Sequence, residues 1–426
     1  MNLNLKLIPK FFRVQQSFER PQVNDISGRV EKELAAICQE DLSGQSVAVT
    51  AGSRGIANIA EIIGACVQFL RQAGAEPFIV PAMGSHGGAT AAGQVQVLAS
   101  FGITAESMGC PIKSGMEVRH VCDAQQGFPV FFDQQAYGAD RVLVVNRIKP
   151  HTRFAGAIES GLMKMMLIGL GKQQGAEVYH RVIHNHTFDE IVRSVAREVI
   201  QRCKILGGLA IMENAYEETA DIRAVSAADI ESSEPGFLAQ VKEWMPRLPF
   251  EHSELLIVDQ IGKNISGTGM DTNVIGRKRN DHAAIEGELP DIHHIYVRSL
   301  TEETQGNASG IGLAELCHRK ALDQMDANYT RMNCITAGHV TGAMIPIDFE
   351  SDFEALSTAA KLAGYVEPHE VTAMWIQDTL HLAEVECSEA FYEEALERAA
   401  KSDDFEVLGE PKPLAFDSHG DLRPVF

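Results

Sequence analysis

The eight cysteines of the chain (38, 66, 110, 122, 203, 317, 334 and 387) include no CxxC pair. Neither a zinc ribbon nor a disulfide framework is in view, and a reducing cytoplasm is the expected compartment. Long apolar runs are also missing. None approaches the ~20 residues needed to span a bilayer, and the N-terminus MNLNLKLIPKFF lacks the apolar centre of a signal peptide. A third absence is basic excess. With 37 basic against 58 acidic residues the net charge is -21, which opposes binding to nucleic acid or to anionic membrane surfaces. The short cluster Arg277, Lys278 and Arg279 does not reverse that field. Fixed-period repeats and low-complexity tracts are lacking too, which counts against a solenoid.

What is present is enough for two domains: 426 residues, 45% of them hydrophobic. SVAVTAG (46–52) reads as a β-branched strand, and IANIAEIIGACVQFLRQAG (56–74) as an amphipathic helix that stops at Gly74. PFIVPAMG, SHGGAT and AAGQVQVLASFG repeat the strand, turn and helix order. After a less regular, β-rich segment (110–132), RVLVVN (141–146) reads as a buried strand, FDEIVRSVAREVIQRC (188–203) as a helix and ILGGLAIMENA as a strand. A polar stretch (216–235) then precedes the helix GFLAQVKEWMPRL. The expected class is α/β: two domains, 1–246 and 247–426, each with a mostly parallel sheet flanked by helices, and an active site in the cleft between them. The second domain reads as the strand ELLIVDQIG, the glycine-rich loop KNISGTGMD, the strand IHHIYVRSL, helices AELCHRKALDQM and FEALSTAAKLAGY, the strand VTAMWIQD, an acidic helix SEAFYEEALERAAKS and an irregular tail, which is left open to pack back on the first domain.

Ligands on such sheets collect at the carboxyl ends of the strands, where Arg54 and His86 both fall. His86 in MGSHGGAT is followed by two glycines that leave its imidazole accessible, which suits an acid or base; a turn histidine, with Thr90 capping the next helix, fits the same pattern. His151 follows Pro150 at a strand exit, on a chain stiffened by the proline, where a catalytic group outweighs a histidine satisfying loop carbonyls. Lys164 in GLMKMMLIGLG sits among Leu162, Met163, Met165 and Met166. Apolar surroundings favour the neutral, nucleophilic amine, although one polar position per turn of a core helix would place a snorkelling lysine equally well. His180, His184 and His186 form YHRVIHNH, in which the residue after His180 is Arg181 and the zinc hydrolase pattern HExxH is absent. Any one of the three histidines can serve as a single metal ligand. Gly262, Gly267 and Gly269 match neither the dinucleotide fingerprint nor a P-loop, and Gln260 with Lys263 reads as a pair of polar groups at a strand end.

Taken together, NRIKPHTRFAGAIESGLMKMMLIGLGKQQGAEVYH (146–180), the arginine after the first strand and the histidine after the second resemble the nickel-pincer-dependent lactate racemase superfamily, most strongly over 46–211. The resemblance implies a 2-hydroxy acid racemase or epimerase. It implies a nicotinic-acid-derived mononucleotide tethered to Lys164 through a thioamide, nickel held by the carbon and two sulfurs of that group and by His180, and His86 and His151 as paired acid and base. Arg54 would hold a substrate carboxylate or a cofactor group, and Gln260 and Lys263 would reach substrate, Lys263 the cofactor as well. Partners implied are the small hydroxy acid and the proteins that synthesise the cofactor. Three departures count against lactate itself: Ala51 where the family has aspartate, Met163 where it has arginine, and a longer loop between His151 and Lys164. A larger or sugar-derived acid is the expectation. The competing readings are a nickel-free hydroxy acid dehydrogenase or lyase, the former disfavoured by the missing fingerprint, and a non-catalytic small-molecule-binding protein on the same scaffold.

Overall fold

The computed structural model describes residues 3–426, with the side chain of His180 outside the description. The chain forms two compact units, one of Glu19–Met245 and one that joins the residues up to Phe18 to Pro246–Phe426. The N-terminal residues group with the second unit because strand β1 (Phe11–Gln16) is an inner strand of its sheet.

The Glu19–Met245 unit is built on β2 (Ser46–Ala51), β3 (Glu76–Pro81), the hairpin β4 (Val118–Asp123) and β5 (Pro129–Asp133), then β6 (Arg141–Arg147), β7 (Ile205–Glu213) and β8 (Thr219–Ser226). Five of these make one sheet in the order β3-β2-β6-β7-β8, parallel except for β8. Both faces of it are covered, so β2 and β6 read as unbroken apolar runs. Val47 and Val49 enter one core and Ala48 the other, and in β6 Leu143 and Val145 oppose Val142 and Val144 in the same way. The helix Ile59–Gln72 fills the first core with Ile59, Ile62, Ile63, Cys66, Val67 and Leu70, the i, i+3, i+4 stripe of its sequence. Phe188–Arg202, opened by a Thr187–Glu190 capping box, packs Ile191, Val192, Val195 and Val199 into the second.

The chain steps from β2 to β3 on one side and returns to β6 on the other. The order therefore reverses at β2 and β6, and in open α/β sheets this reversal leaves a crevice beyond the carboxyl ends of the strands.

In the other unit β9 (His252–Ile261), β10 (Asp291–Leu300), β11 (Leu316–His318), β12 (Ile347–Phe349) and β13 (Ala373–Ile376) run parallel. The sheet continues antiparallel through β14 (Glu384–Ser388), β1 and β15 (Phe405–Lys412), in the order β12-β11-β10-β9-β13-β14-β1-β15.

Three local expectations are corrected. The tail contains the regular edge strand β15, which pairs with β1 in the sheet of its own unit. The polar stretch 216–235 holds β8 and the start of the helix Ile230–Trp244, with Pro235 inside it. Burial of Ile222, Ile230 and Leu238 outweighs the local polarity and the proline. AELCHRKALDQM divides into β11 and the short helix Arg319–Asp323, because Leu316 and Cys317 are paired on both sides within the sheet.

Candidate active site

At the sheet reversal, the exits of β2, β3 and β6 lie against the helix that carries Lys164. A Cβ on Gly52 would stand 3.3 Å from the Met165 side chain and 3.8 Å from Asn146 Oδ1, so the β2 exit touches both the lysine segment and the end of β6. Beyond Gly52 come Ser53 and Arg54. The Ser53 hydroxyl makes a short hydrogen bond with His86 Nδ1, joining the β2 and β3 exits. Glu213, at the end of β7, ties Arg147 by an ion pair and accepts the Ala57 N–H at 2.7 Å.

After β6 the chain leaves through Pro150 to His151. The loop is closed at its base by Lys149 N–H donating to Ser160 O at 2.9 Å. Buried Glu159 accepts the His151 N–H at 2.8 Å and pairs with Lys242 at 2.7 Å. Arg153 N–H and Phe154 N–H both donate to His151 Nδ1, at 3.0 and 3.1 Å. Those two donors use the Nδ1 lone pair, so the neutral ring carries its hydrogen on Nε2. The ring stacks on Phe154 with centroids 4.2 Å apart, and Phe154 stacks on Phe188 at the same spacing.

Lys164 ends the helix Leu162–Lys164, and the chain continues as a π-helical turn, Met165–Gly169, with Leu170 N–H donating to Met165 O at 2.9 Å. Such turns are rare and concentrate at functional sites. Lys164 Nζ lies 5.8 Å from the Phe154 ring centroid, so the lysine and His151 share one aromatic neighbour. The residue keeps some contact with water, yet protein crowds its amine. Burial first, and the charge of Arg54 second, lower the amine pKa to about 7, with Glu159 opposing. Arg54 itself is exposed by area but densely surrounded, and that crowding with the charge of Arg147 lowers its pKa.

The lysine helix is capped from a distance. Gly161, its N-cap, has no side chain to offer; Asn146 Nδ2 donates to Gly161 O at 2.7 Å, and Glu234 accepts the Met163 N–H at 3.0 Å. A Cβ at Gly161 would fall 2.2 Å from Glu234 Oε1, so only glycine lets the carboxyl approach. Glu234 is 1% exposed and its Oε1 has no hydrogen-bond partner. Burial pushes its pKa up to about 7 against the pull of the Met163 and Leu162 N–H groups. Below the ordinary value of 4.5 the carboxyl is protonated folded or unfolded; between 4.5 and about 7 only the unfolded chain ionises, so stability falls as pH rises. Glu234→Gln removes this cost, which reaches about 3 kcal/mol once both states are ionised. Its thermal melt should match wild type at pH 4.5 and exceed it by several degrees at pH 8. An equal gap at both pH values would refute the assignment.

The structure thus gathers Arg54, His86, His151 and Lys164 on contiguous segments of one unit. His180 lies in the helix Lys172–Val182, its side chain outside the description. That helix ends before His184 and His186, so the three histidines do not form one helical face. Gln260 is near the end of β9 and Lys263 just beyond it, in the other unit; Lys263 N–H donates to Thr304 Oγ1 at 3.0 Å and its amine to Gly267 O at 2.5 Å. Ser53, Phe154, Glu159 and Glu234 were not singled out by sequence. Ser53 adjoins Arg54, and Phe154 and Glu159 fall between His151 and Lys164, whereas Glu234 stands 71 residues from the N–H it caps.

No family model matches the chain, and no curated protein does. Among solved structures the lactate racemase apoprotein from Thermoanaerobacterium thermosaccharolyticum is similar, at 13% identity and TM-score 0.51, over 86% of this chain and 93% of that one. A protein of Thermotoga maritima aligns at 10% identity and TM-score 0.49, over 77% and 84%. The chain has a lactate-racemase-like fold.

Proposed function

We propose that the protein is a racemase or epimerase of a 2-hydroxy acid that works with a nickel-pincer nucleotide tethered to Lys164. The observation that carries this reading is the amine of Lys164, drawn down to about 7 beside Arg54, with Phe154 of the His151 loop a neighbour of both the amine and the imidazole. At neutral pH roughly half of such an amine is uncharged, the form that bonds to a thioacid carbon. A pincer that brings its own carbon and sulfur donors would ask the protein for one imidazole, and that role is assigned to His180.

When bound, the group would supply a reversible acceptor for the hydride on the substrate α-carbon. The residues of the chain handle binding and protons. Arg54 offers a planar fork to the substrate carboxylate. His86 takes the hydroxyl proton at Nε2, with Nδ1–H donating to Ser53 Oγ. His151 gives a proton at Nε2 from its imidazolium form and takes one there from its Nδ1–H form; both carry a hydrogen on Nδ1, so for either step the ring must first give up the Arg153 and Phe154 N–H groups. Gln260 and Lys263 are assigned to substrate, and Lys263 also to the cofactor.

Coexpression with cofactor-synthesis enzymes should give a mass increment on the peptide containing Lys164, stoichiometric nickel, and interconversion of 2-hydroxy acid stereoisomers. Protein that gains neither increment nor nickel overturns the reading.

A further inference from the structure

Beneath the His86 loop lies a buried ion pair that the reaction does not use. Lys172 and Asp133 are both 0% exposed, with Lys172 Nζ 3.2 Å from Asp133 Oδ2. The same amine donates to Pro81 O, the last residue of β3, and to Gln94 Oε1 at 3.0 Å. Gln94 is also fully buried, and its amide nitrogen donates to Gly84 O at 2.9 Å and to His86 O at 3.4 Å. We propose that Lys172, Asp133 and Gln94 form an internal pin that sets the position of His86 relative to Lys164.

Two further observations support the pin. Lys172 comes directly after the segment that begins at Lys164, and that segment touches the loop it secures. Gly84 N–H donates to Gly169 O at 3.3 Å, and a Cβ on Gly169 would stand 2.7 Å from Ala82 O, so the two backbones are in direct contact. Lys172 also holds a left-handed φ of +54°, a conformation that costs a non-glycine residue about 1 kcal/mol and aims its side chain inward here. A buried ion pair adds little net stability over an apolar pair of the same volume. Its value lies in geometry: five polar contacts fix β3, the His86 loop and the lysine segment in one arrangement. Burial pushes the Lys172 pKa down and the Asp133 pKa up, so neither charge is cheaply held without the other.

Lys172, Gln94 and Asp133 are positioning residues, and the effect on catalysis rests on the racemase reading; the position of His86 does not. Two variants separate the roles. Gln94→Leu keeps the ion pair and cuts the link to His86. Lys172→Met combined with Asp133→Asn removes both charges together, leaves no lone buried charge, and keeps the Asp133-type cap on the Ala136 N–H. On the full apo chain with labelled histidine, the ring nitrogen resonances of His86, assigned by their loss in His86→Asn, should shift in both variants as the Ser53 hydrogen bond is disturbed. In loaded enzyme kcat should fall about 100-fold with KM nearly unchanged and Lys164 still modified. Folded variants whose His86 resonances coincide with wild type overturn the pin. If no 2-hydroxy acid is turned over by wild type, the racemase reading fails while the resonances still decide the pin.

Discussion

Lys164→Ala should yield a folded protein that acquires neither cofactor mass nor nickel and racemises hydroxy acids no faster than the uncatalysed background. Lys164→Arg should fail equally. A guanidinium stays protonated at any working pH, so it keeps the charge and the length but offers no free electron pair. This contrast separates covalent attachment from electrostatics. Before loading, the amine should label with an amine-directed reagent along a curve centred near pH 7, far below the ordinary lysine range of 10.5. The sign follows from the charge. Burial and Arg54 both disfavour the ammonium form, so labelling rises as pH climbs through 7, and Arg54→Met should move the curve upward by relieving the second of these while leaving the first. A Lys164 that labels only above pH 9, or an arginine variant that retains activity, would sink the tether assignment.

His86→Ala and His151→Ala should each lower kcat by about 10² to 10⁴ while leaving the Lys164 adduct in place. The losses need not have the same pH dependence. His86 has its Nδ1 on a serine hydroxyl, which can donate or accept, so its ring can change tautomer without moving. His151 has its Nδ1 on two backbone N–H groups, which can only donate, and any change there requires the ring to turn within its stack on Phe154. Ser53→Ala is therefore expected to cost less than either histidine. Racemisation at the wild-type rate in either alanine variant would remove that histidine from the acid–base pair.

Much of this unit is legible in one dimension because it is a two-sided parallel sheet. Its strands are β-branched runs such as Ser46–Ala51, its helices keep a stripe such as Ile59–Leu70, and chemistry-bearing residues follow strand ends by construction. Arg54, His86 and His151 stand out because they follow strands, and Lys164 because nothing around it is polar. The second unit is harder to read. Two of its parallel strands, Leu316–His318 and Ile347–Phe349, are three residues long, too short for any periodicity to declare itself.

By itself the sequence determined the α/β class and the strand exits at which Arg54, His86 and His151 stand, since those depend on local alternation and on residue type; the roles of those residues and of Lys164 come from the resemblance. Tertiary structure alone decided that Phe11–Gln16 and Phe405–Lys412 pair with each other, that Glu234 caps the lysine helix, that Lys172 meets Gln94 and Asp133 in the interior, and which nitrogen of His151 accepts the backbone N–H groups. Each of these depends on a partner tens or hundreds of residues away, or on the direction of an N–H group in a folded loop. Burial, which moves the Lys164 amine and the Glu234 carboxyl to about 7, exists only once the chain has packed.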